Sequence, residues 1–267
     1  MKKIIINSLI KILKIIKGQD TWESLYKLAL KQMNYGNGGD FDKSGELNVI
    51  KYINEKLFNE TKIIIFDVGG NNGDYATELA SFFSTKAIIH SFEPSSSAFH
   101  ALVEKTKNIN NLISNNFGLS DFEENLLLYT NIEGSVWASV YQRDLERYGI
   151  SLDKSELIKL TTIDNYCEEN KIDRINFLKL DIEGHELKAL NGAKQMINNK
   201  KIDFIQFEFS SANIDSRTYF HDFYLLLKNN YQLYRITQNN LFDLKEYQET
   251  YEVFTTTNYL AVKKSNN

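Results

Sequence analysis

The sequence predicts an α/β fold: a mostly parallel, seven-stranded sheet with helices on both faces, an antiparallel C-terminal strand and an N-terminal helical cap. Three observations predict it. From Ile63 onward, short apolar runs alternate with helical patterns, as in a parallel sheet covered on both faces. The run Ile63-Ile64-Ile65-Phe66-Asp67-Val68 ends in a glycine-punctuated turn, Gly69-Gly70-Asn71-Asn72-Gly73, and the next run, Ala87 to Phe92, ends at Glu93. The final two runs, at 231–237 and 253–262, have no helix between them, which predicts an antiparallel pair.

The elements follow in order. Residues 1–60 read as the helical cap and 61–267 as the catalytic domain. Ile4 to Ile16 is largely apolar behind Lys2 and Lys3, but Lys11 and Lys14 interrupt it and no small-residue cleavage site follows. The run is also shorter than the roughly 20 apolar residues of a membrane span. Lys3, Asn7, Lys11, Lys14 and Lys17 draw one polar stripe, so the expectation is a helix packed on the domain or on a second copy in a homodimer, with a cationic helix lying on a membrane surface as the lesser alternative. A second helix runs from its cap at Asp20 through Leu30, then a loop at 35–40. Asp40 to Gly45 opens like a calcium loop, but the twelfth position is Lys51 where a bidentate Glu is needed; Ser44 instead caps a helix to Phe58. Strands are expected at 63–67, 87–92, 112–116, 125–130, 175–180, 202–208, 231–237 and 253–262. Helices are expected at 74–83, 95–107, 140–147, 164–170, 185–198 and 216–229.

Composition narrows the function. A chain of 267 residues with 42% hydrophobic and 25% charged content can bury one core without disulfides or metal. The net charge of −4 supplies no basic field for nucleic acid, and no Asn-Pro-Pro-Tyr-like motif exists, because Pro94 is the single proline. Cys167 is the one cysteine, which excludes an internal disulfide and fits a cytoplasmic protein.

Candidate site residues cluster at strand ends, where ligands bind in such sheets. The turn at 69–73 lets backbone approach a cofactor, with Gly70, Asn71 and Tyr75 beside it, and Glu93 before Pro94 can accept from two ribose hydroxyls. The spacing Asp67, Gly69, Gly73 suits S-adenosylmethionine, whereas a dinucleotide turn would carry glycine at positions 71 and 74, which are Asn and Asp. Asn116 and Phe117 follow the third strand, where an adenine would be stacked and hydrogen-bonded. In Asn176-Phe177-Leu178-Lys179-Leu180-Asp181-Ile182-Glu183-Gly184-His185-Glu186 a buried strand delivers Asp181 to its end, with Glu183 and His185 on the turn beyond. Lys179 and Glu186 read individually as surface charge. Glu208 ends the neighbouring strand and would face Asp181, so a cation sits between them or one pKa rises. Two routes for removing an acceptor proton stay open: a Mg²⁺, Mn²⁺ or Fe²⁺ ion on Asp181 and Glu208, or His185 as general base. Trp137 could stack on a sugar, and His221 could reach the cleft.

Phe177 to Glu186, preceded by Leu160-Thr161-Thr162-Ile163-Asp164-Asn165-Tyr166-Cys167, resembles the FkbM-type methyltransferases. The resemblance runs from about Ile63 through Phe209 and takes in Phe66 to Gly73, Phe92-Glu93-Pro94 and Asn116 to Asp121. It implies a class I, Rossmann-like methyltransferase domain that O-methylates sugars of surface polysaccharides (capsule or lipopolysaccharide) or secondary metabolites, using S-adenosylmethionine. The acceptor so implied is a small molecule, a sugar nucleotide or glycan. By the same resemblance Asp67, Gly69, Gly73, Glu93 and Asn116 take cofactor roles and Asp181 a place at the methyl-transfer centre. Residues 1–60 carry no family motif, so acceptor choice is expected there and in the far C-terminal region. A nicotinamide oxidoreductase fits Asn71 and the Asp181 to Glu186 block less well, and a non-catalytic binding module would tolerate substitution of Asp181 or His185.

Overall fold

The computed structural model describes residues 18–38 and 41–265, without the side chains of 41 and 42. The polar stripe from Lys3 to Lys17 and the loop positions Gly39 and Asp40 lie outside the described residues. Among those described, no helix is long and apolar enough to cross a membrane.

The cap comprises α1 (Gln19–Gln32), a helical turn α2 (Phe41–Ser44) and α3 (Glu46–Lys56). The parallel strands are β1 (Ile63–Val68), β2 (Ala87–Phe92), β3 (Leu112–Asn115), β7 (Ile175–Leu180) and β8 (Ile202–Phe209). Their crossovers carry α4 (Asp74–Phe83), α5 (Ser96–Thr106), α6 (Ile163–Glu169), α7 (Glu186–Asn191) and α8 (Lys194–Asn198). After β8 come α9 (Ala212–Asp215), α10 (Phe220–Leu227), β9 (Tyr231–Ile236), β10 (Leu241–Leu244) and β11 (Thr257–Lys263). The order across the sheet is β3-β2-β1-β7-β8-β11-β9-β10. β11 inserts antiparallel between β8 and β9, which is the reversal expected of a class I methyltransferase sheet. β10 makes eight strands where seven were expected.

β1 and β7 are buried along their whole length, as their unbroken apolar runs require of central parallel strands. On one face α3 contributes Val49, Ile50 and Ile53, and its C-cap Leu57, to a core with Ile63, Ile65, Leu79, Phe177, Phe204 and Leu260. On the other, Phe66, Val68, Leu180 and Phe207 pack with Tyr166, Leu190 and Phe223.

Two expectations fail in the segment before β7. The strand at 125–130 forms as β5 (Glu124–Thr130), but it leaves the main sheet and pairs antiparallel with β6 (Lys154–Thr161). With β4 (Gly118–Leu119) it makes a separate three-stranded sheet. No helix forms at 140–147; the segment is irregular until a 3-10 turn at Glu146–Tyr148. Within this irregular segment the Arg143 side chain is buried, paired with Glu183 and lying over the Trp137 ring.

Candidate active site

The C-terminal ends of β1, β2, β7 and β8 open into a cavity of about 540 Å³, roofed by the small sheet and by the cap. The turn after β1 forms its floor. Gly69 and Gly70 each donate a backbone N–H to the Phe92 carbonyl at 3.0 Å, drawing the turn down onto β2. Gly69 has φ +85°, and a Cβ there would lie 1.9 Å from the Asp181 carbonyl oxygen, so only glycine fits. Glu93, 7% exposed, accepts from the Asn71 and Ser95 N–H groups at 2.8 Å, one on each oxygen. A second lone pair on each oxygen remains for a diol. Burial pushes this carboxyl up to about 7. Pro94, Gly118, Leu119, Ile158 and Leu160 add an apolar wall.

Asp67 lies wholly buried beneath the turn and accepts from Ser91 Oγ at 2.9 Å. Register explains the pairing: Ser91, Asp67, Lys179 and Gln206 stand side by side on β2, β1, β7 and β8. Lys179 Nζ sits 3.4 Å from Asp67, 3.6 Å from Asp181 and 3.3 Å from the Gly69 carbonyl, over the Tyr75 ring. Burial opposes its charge, but the flanking carboxylates raise its pKa overall. Lys179 therefore does not belong to the surface, as its isolated reading suggested.

At the end of β7, Asp181, Glu183 and Glu208 bring carboxylate oxygens within 4.8 Å of one another. Burial raises Glu183 to about 8 against the pull of Arg143, which forms an ion pair with it. Glu208 is raised well above the usual range by burial and by Asp181, Glu183 and Glu186. Glu186 is also no surface charge. It is 1% exposed and accepts from the Ile182 and Gly184 N–H groups at 2.9 and 3.2 Å, holding the loop that carries Glu183.

His185 lines the cavity, but both ring nitrogens are taken, Nε2 by Ser120 Oγ at 2.9 Å and Nδ1 by Tyr141 OH at 3.0 Å. Burial lowers its pKa to about 4, so its geometry suits a fixed strut better than a general base. Asn116 and Phe117 do not line the cavity. The Asn116 amide donates to the Glu93 and Pro94 carbonyls, and Phe117 packs against Phe92 and Tyr166. His221 stacks on Tyr247 away from the cavity. Trp137 does line it, 5.3 Å from the Tyr148 ring. Sequence reasoning missed Glu46, Arg143 and Lys179; the folded cap brings in Glu46, strand register Lys179, and the irregular segment ahead of β6 Arg143.

A family model described as the methyltransferase FkbM domain matches residues 67–236. A curated relative, "Hexuronic acid methyltransferase AglP" of Haloferax volcanii, is 28% identical over 177 residues. The match spans 66% of this chain and 66% of that relative, just under two thirds of its length. Similar solved structures include methyltransferase FkbM from Methylobacillus flagellatus KT, with 16% identity and a TM-score of 0.46, covering 75% of this chain and 44% of that one. A SAM-dependent O-methyltransferase from Thermotoga maritima has 10% identity and a TM-score of 0.41, covering 82% of this chain and 66% of that one.

Proposed function

Because the chain belongs to the FkbM methyltransferase family, we propose that it transfers a methyl group from S-adenosylmethionine to a hydroxyl oxygen of a sugar, carried by a sugar nucleotide or glycan, in surface-polysaccharide assembly. The observation that carries the reading is a single cavity joining the Glu93 and glycine-turn end to the Asp181 carboxylates and the Trp137 face. The name of the AglP relative supports a sugar acceptor and puts hexuronic acids first among candidates.

The residues fit the cofactor: a floor of bare backbone at 69–71, a buried acid with lone pairs left for a diol, and an apolar wall. When bound, S-adenosylmethionine supplies a sulfonium-activated methyl group open to in-line displacement. Glu93 then grips the ribose hydroxyls, and Leu119, Ile158 and Leu160 cover the base. Asp181, whose side chain is 40% exposed, is placed to take the hydroxyl proton that an acceptor would release when the methyl left the sulfonium for its oxygen and the neutral thioether departed. Lys179 holds that carboxylate in place, and Trp137 offers the sugar ring an aromatic face. Alignment of donor and acceptor is the larger contribution.

The carboxylates also fit a divalent cation. Lys179 pairs with Asp181 and Arg143 with Glu183, whereas among the described residues Glu208 forms no ion pair. Asp181 and Glu208, with Glu183 beside them, offer hard oxygen donors of the kind that hold Mg²⁺, Mn²⁺ or Fe²⁺ and ease loss of a hydroxyl proton. The test is calorimetric titration of metal-stripped protein with S-adenosylmethionine, alone, with each metal and with chelator, followed by transfer of labelled methyl to hexuronic acids and sugar nucleotides. Micromolar binding that Glu93→Ala removes, with label on a sugar oxygen, is the expected result. Absence of binding under every condition would sink the reading.

A further inference from the structure

The cap supplies a buried acid to the cavity. Glu46, in the first turn of α3, lies outside the segment that matches the family model, yet it lines the cavity with Tyr75, Lys179 and Asp181. It is 7% exposed and pinned from several sides. Its Oε1 accepts from Gln206 Nε2 at 2.8 Å and its Oε2 from Ser44 Oγ at 3.0 Å. The preceding Gly45 has φ +89° and lies so close to the strand-end loop that a Cβ would come within 2.2 Å of the Thr237 carbonyl oxygen. Asn34 Nδ2 donates to the Ser44 and Ile236 carbonyls at 2.8 and 3.3 Å and holds this approach from the other side. A carboxylate so firmly buried needs compensation. Lys179 is the cation that bears most on it, but the three protons of Lys179 are directed at Asp67, Asp181 and the Gly69 carbonyl. Among the described residues, each Glu46 oxygen therefore keeps a lone pair without a cationic donor.

Beyond the glycine turn the cavity is lined by Arg143, Trp137, Tyr148 and Glu183 from the small-sheet side and by Glu46, Tyr75 and Gly38 from the cap side. Gly36 and Gly38 both donate to the Thr256 carbonyl, which ties the cap to the segment ahead of β11. A cofactor with its ribose on Glu93 and its methyl group directed at the acceptor carries one further substituent, an amino-acid tail with a primary ammonium. The reading above gives the acceptor the aromatic residues, which leaves the cap-side lining for that tail.

We propose that Glu46 receives the α-ammonium group of the cofactor's methionine moiety, so that the N-terminal cap completes the cofactor site. The inference rests on the methyltransferase reading and adds to it a residue and a ligand group. A charge-assisted hydrogen bond in such a buried place is worth roughly 10- to 100-fold in affinity.

The test uses two ligands that share the adenosine thioether and differ in the tail: S-adenosylhomocysteine, which has it, and methylthioadenosine, which lacks it. Glu46→Gln keeps the shape and can still accept from Gln206 and donate to Ser44. Calorimetry on the full chain should show S-adenosylhomocysteine weakened roughly 10- to 100-fold and methylthioadenosine unchanged. Equal weakening of both ligands would overturn the proposal, because Glu46 would then support the cap rather than the tail. Unchanged binding of both would overturn it as well. Wild-type protein that binds neither ligand would remove the methyltransferase reading itself, and this inference with it.

Discussion

His185 shows how a residue can line the cavity while the protein itself engages both of its ring nitrogens. With Ser120 on one nitrogen and Tyr141 on the other, the ring has no lone pair or proton to spare for an acceptor. Its pKa falls from 6.5 to about 4, chiefly through burial. The sign follows from linkage: between these values the unfolded chain binds the proton and the folded one does not, so the His185 contribution to stability is complete above pH 6.5 and drains away as pH falls toward 4. Imidazole C–H resonances followed by NMR should show His185 neutral until about pH 4; titration near its usual 6.5 would reject the strut. Lys179 is the opposite case, a charge whose neighbours demand it. Lys179→Met would leave Asp67 and Asp181 facing one another without their shared cation, and the cost should be about 3–5 kcal/mol in urea unfolding, with methyl transfer lost. A loss below about 1 kcal/mol, the range of a surface pair, would show that the three groups do not act together. Neither role was legible in the sequence. Asp67 lies far from Lys179 along the chain, and Ser120 and Tyr141 flank His185 only once the small sheet folds. The positions of Asp181, Glu93 and Gly69 at strand ends and in the turn were legible because strand end, turn and acid are local patterns.

At the scale of elements, the glycine turn is the piece whose geometry the sequence spelled out and whose tolerance the structure sharpens. Its spacing announced a close backbone approach, but the nearest neighbour is the Asp181 carbonyl at the end of β7 rather than open cavity. Gly69→Ala would drive a Cβ into that oxygen while holding a positive φ that a side chain resists. The expected outcome is a loss of several kcal/mol in stability and of cofactor binding together, read by thermal unfolding and calorimetry. Near-wild-type unfolding would mean that β1 and β7 are looser at their ends than their register states. The small sheet was less legible for two reasons. In Lys154 to Thr161, Ile158 and Leu160 point inward while Leu157 and Lys159 face solvent, a two-residue period carried by too few apolar residues to stand out. Residues 140–147 have helix-compatible chemistry, whereas the pairing of Arg143 with Glu183 and Asp215 is long-range. Asn116 does follow β3 as its position implies, and its amide donates to the Glu93 and Pro94 carbonyls, a long-range contact that no local pattern announces.

For the whole molecule, the decisive question is whether the cap is an appendage or part of the sheet's core. A boundary near residue 60 suits the sequence, because the family resemblance begins just beyond it. The packing argues for continuity. Val49, Ile50 and Ile53 of α3 and Leu57 at its C-terminal cap are all at most 4% exposed and share one core with β1, β7, β8 and β11. At about 1.5–3 kcal/mol for each such side chain, they contribute roughly 6–12 kcal/mol, a sum on the scale of the whole stability of a domain. Helix α1 differs, with no buried residue and Trp22, Tyr26 and Leu28 exposed. Two helices of one cap should therefore open by different routes. In native-state hydrogen exchange, α3 amides should exchange with the same free energy as those of β1 and β7, through global unfolding, whereas α1 should exchange through local opening at far lower cost. If α3 opened with α1 and left β1 and β7 protected, the cap would be a separate unit, and Glu46 could leave and re-enter the cavity without unfolding the sheet. Joint protection of α3 and the sheet would instead make Glu46 as permanent a part of the cavity as Asp181.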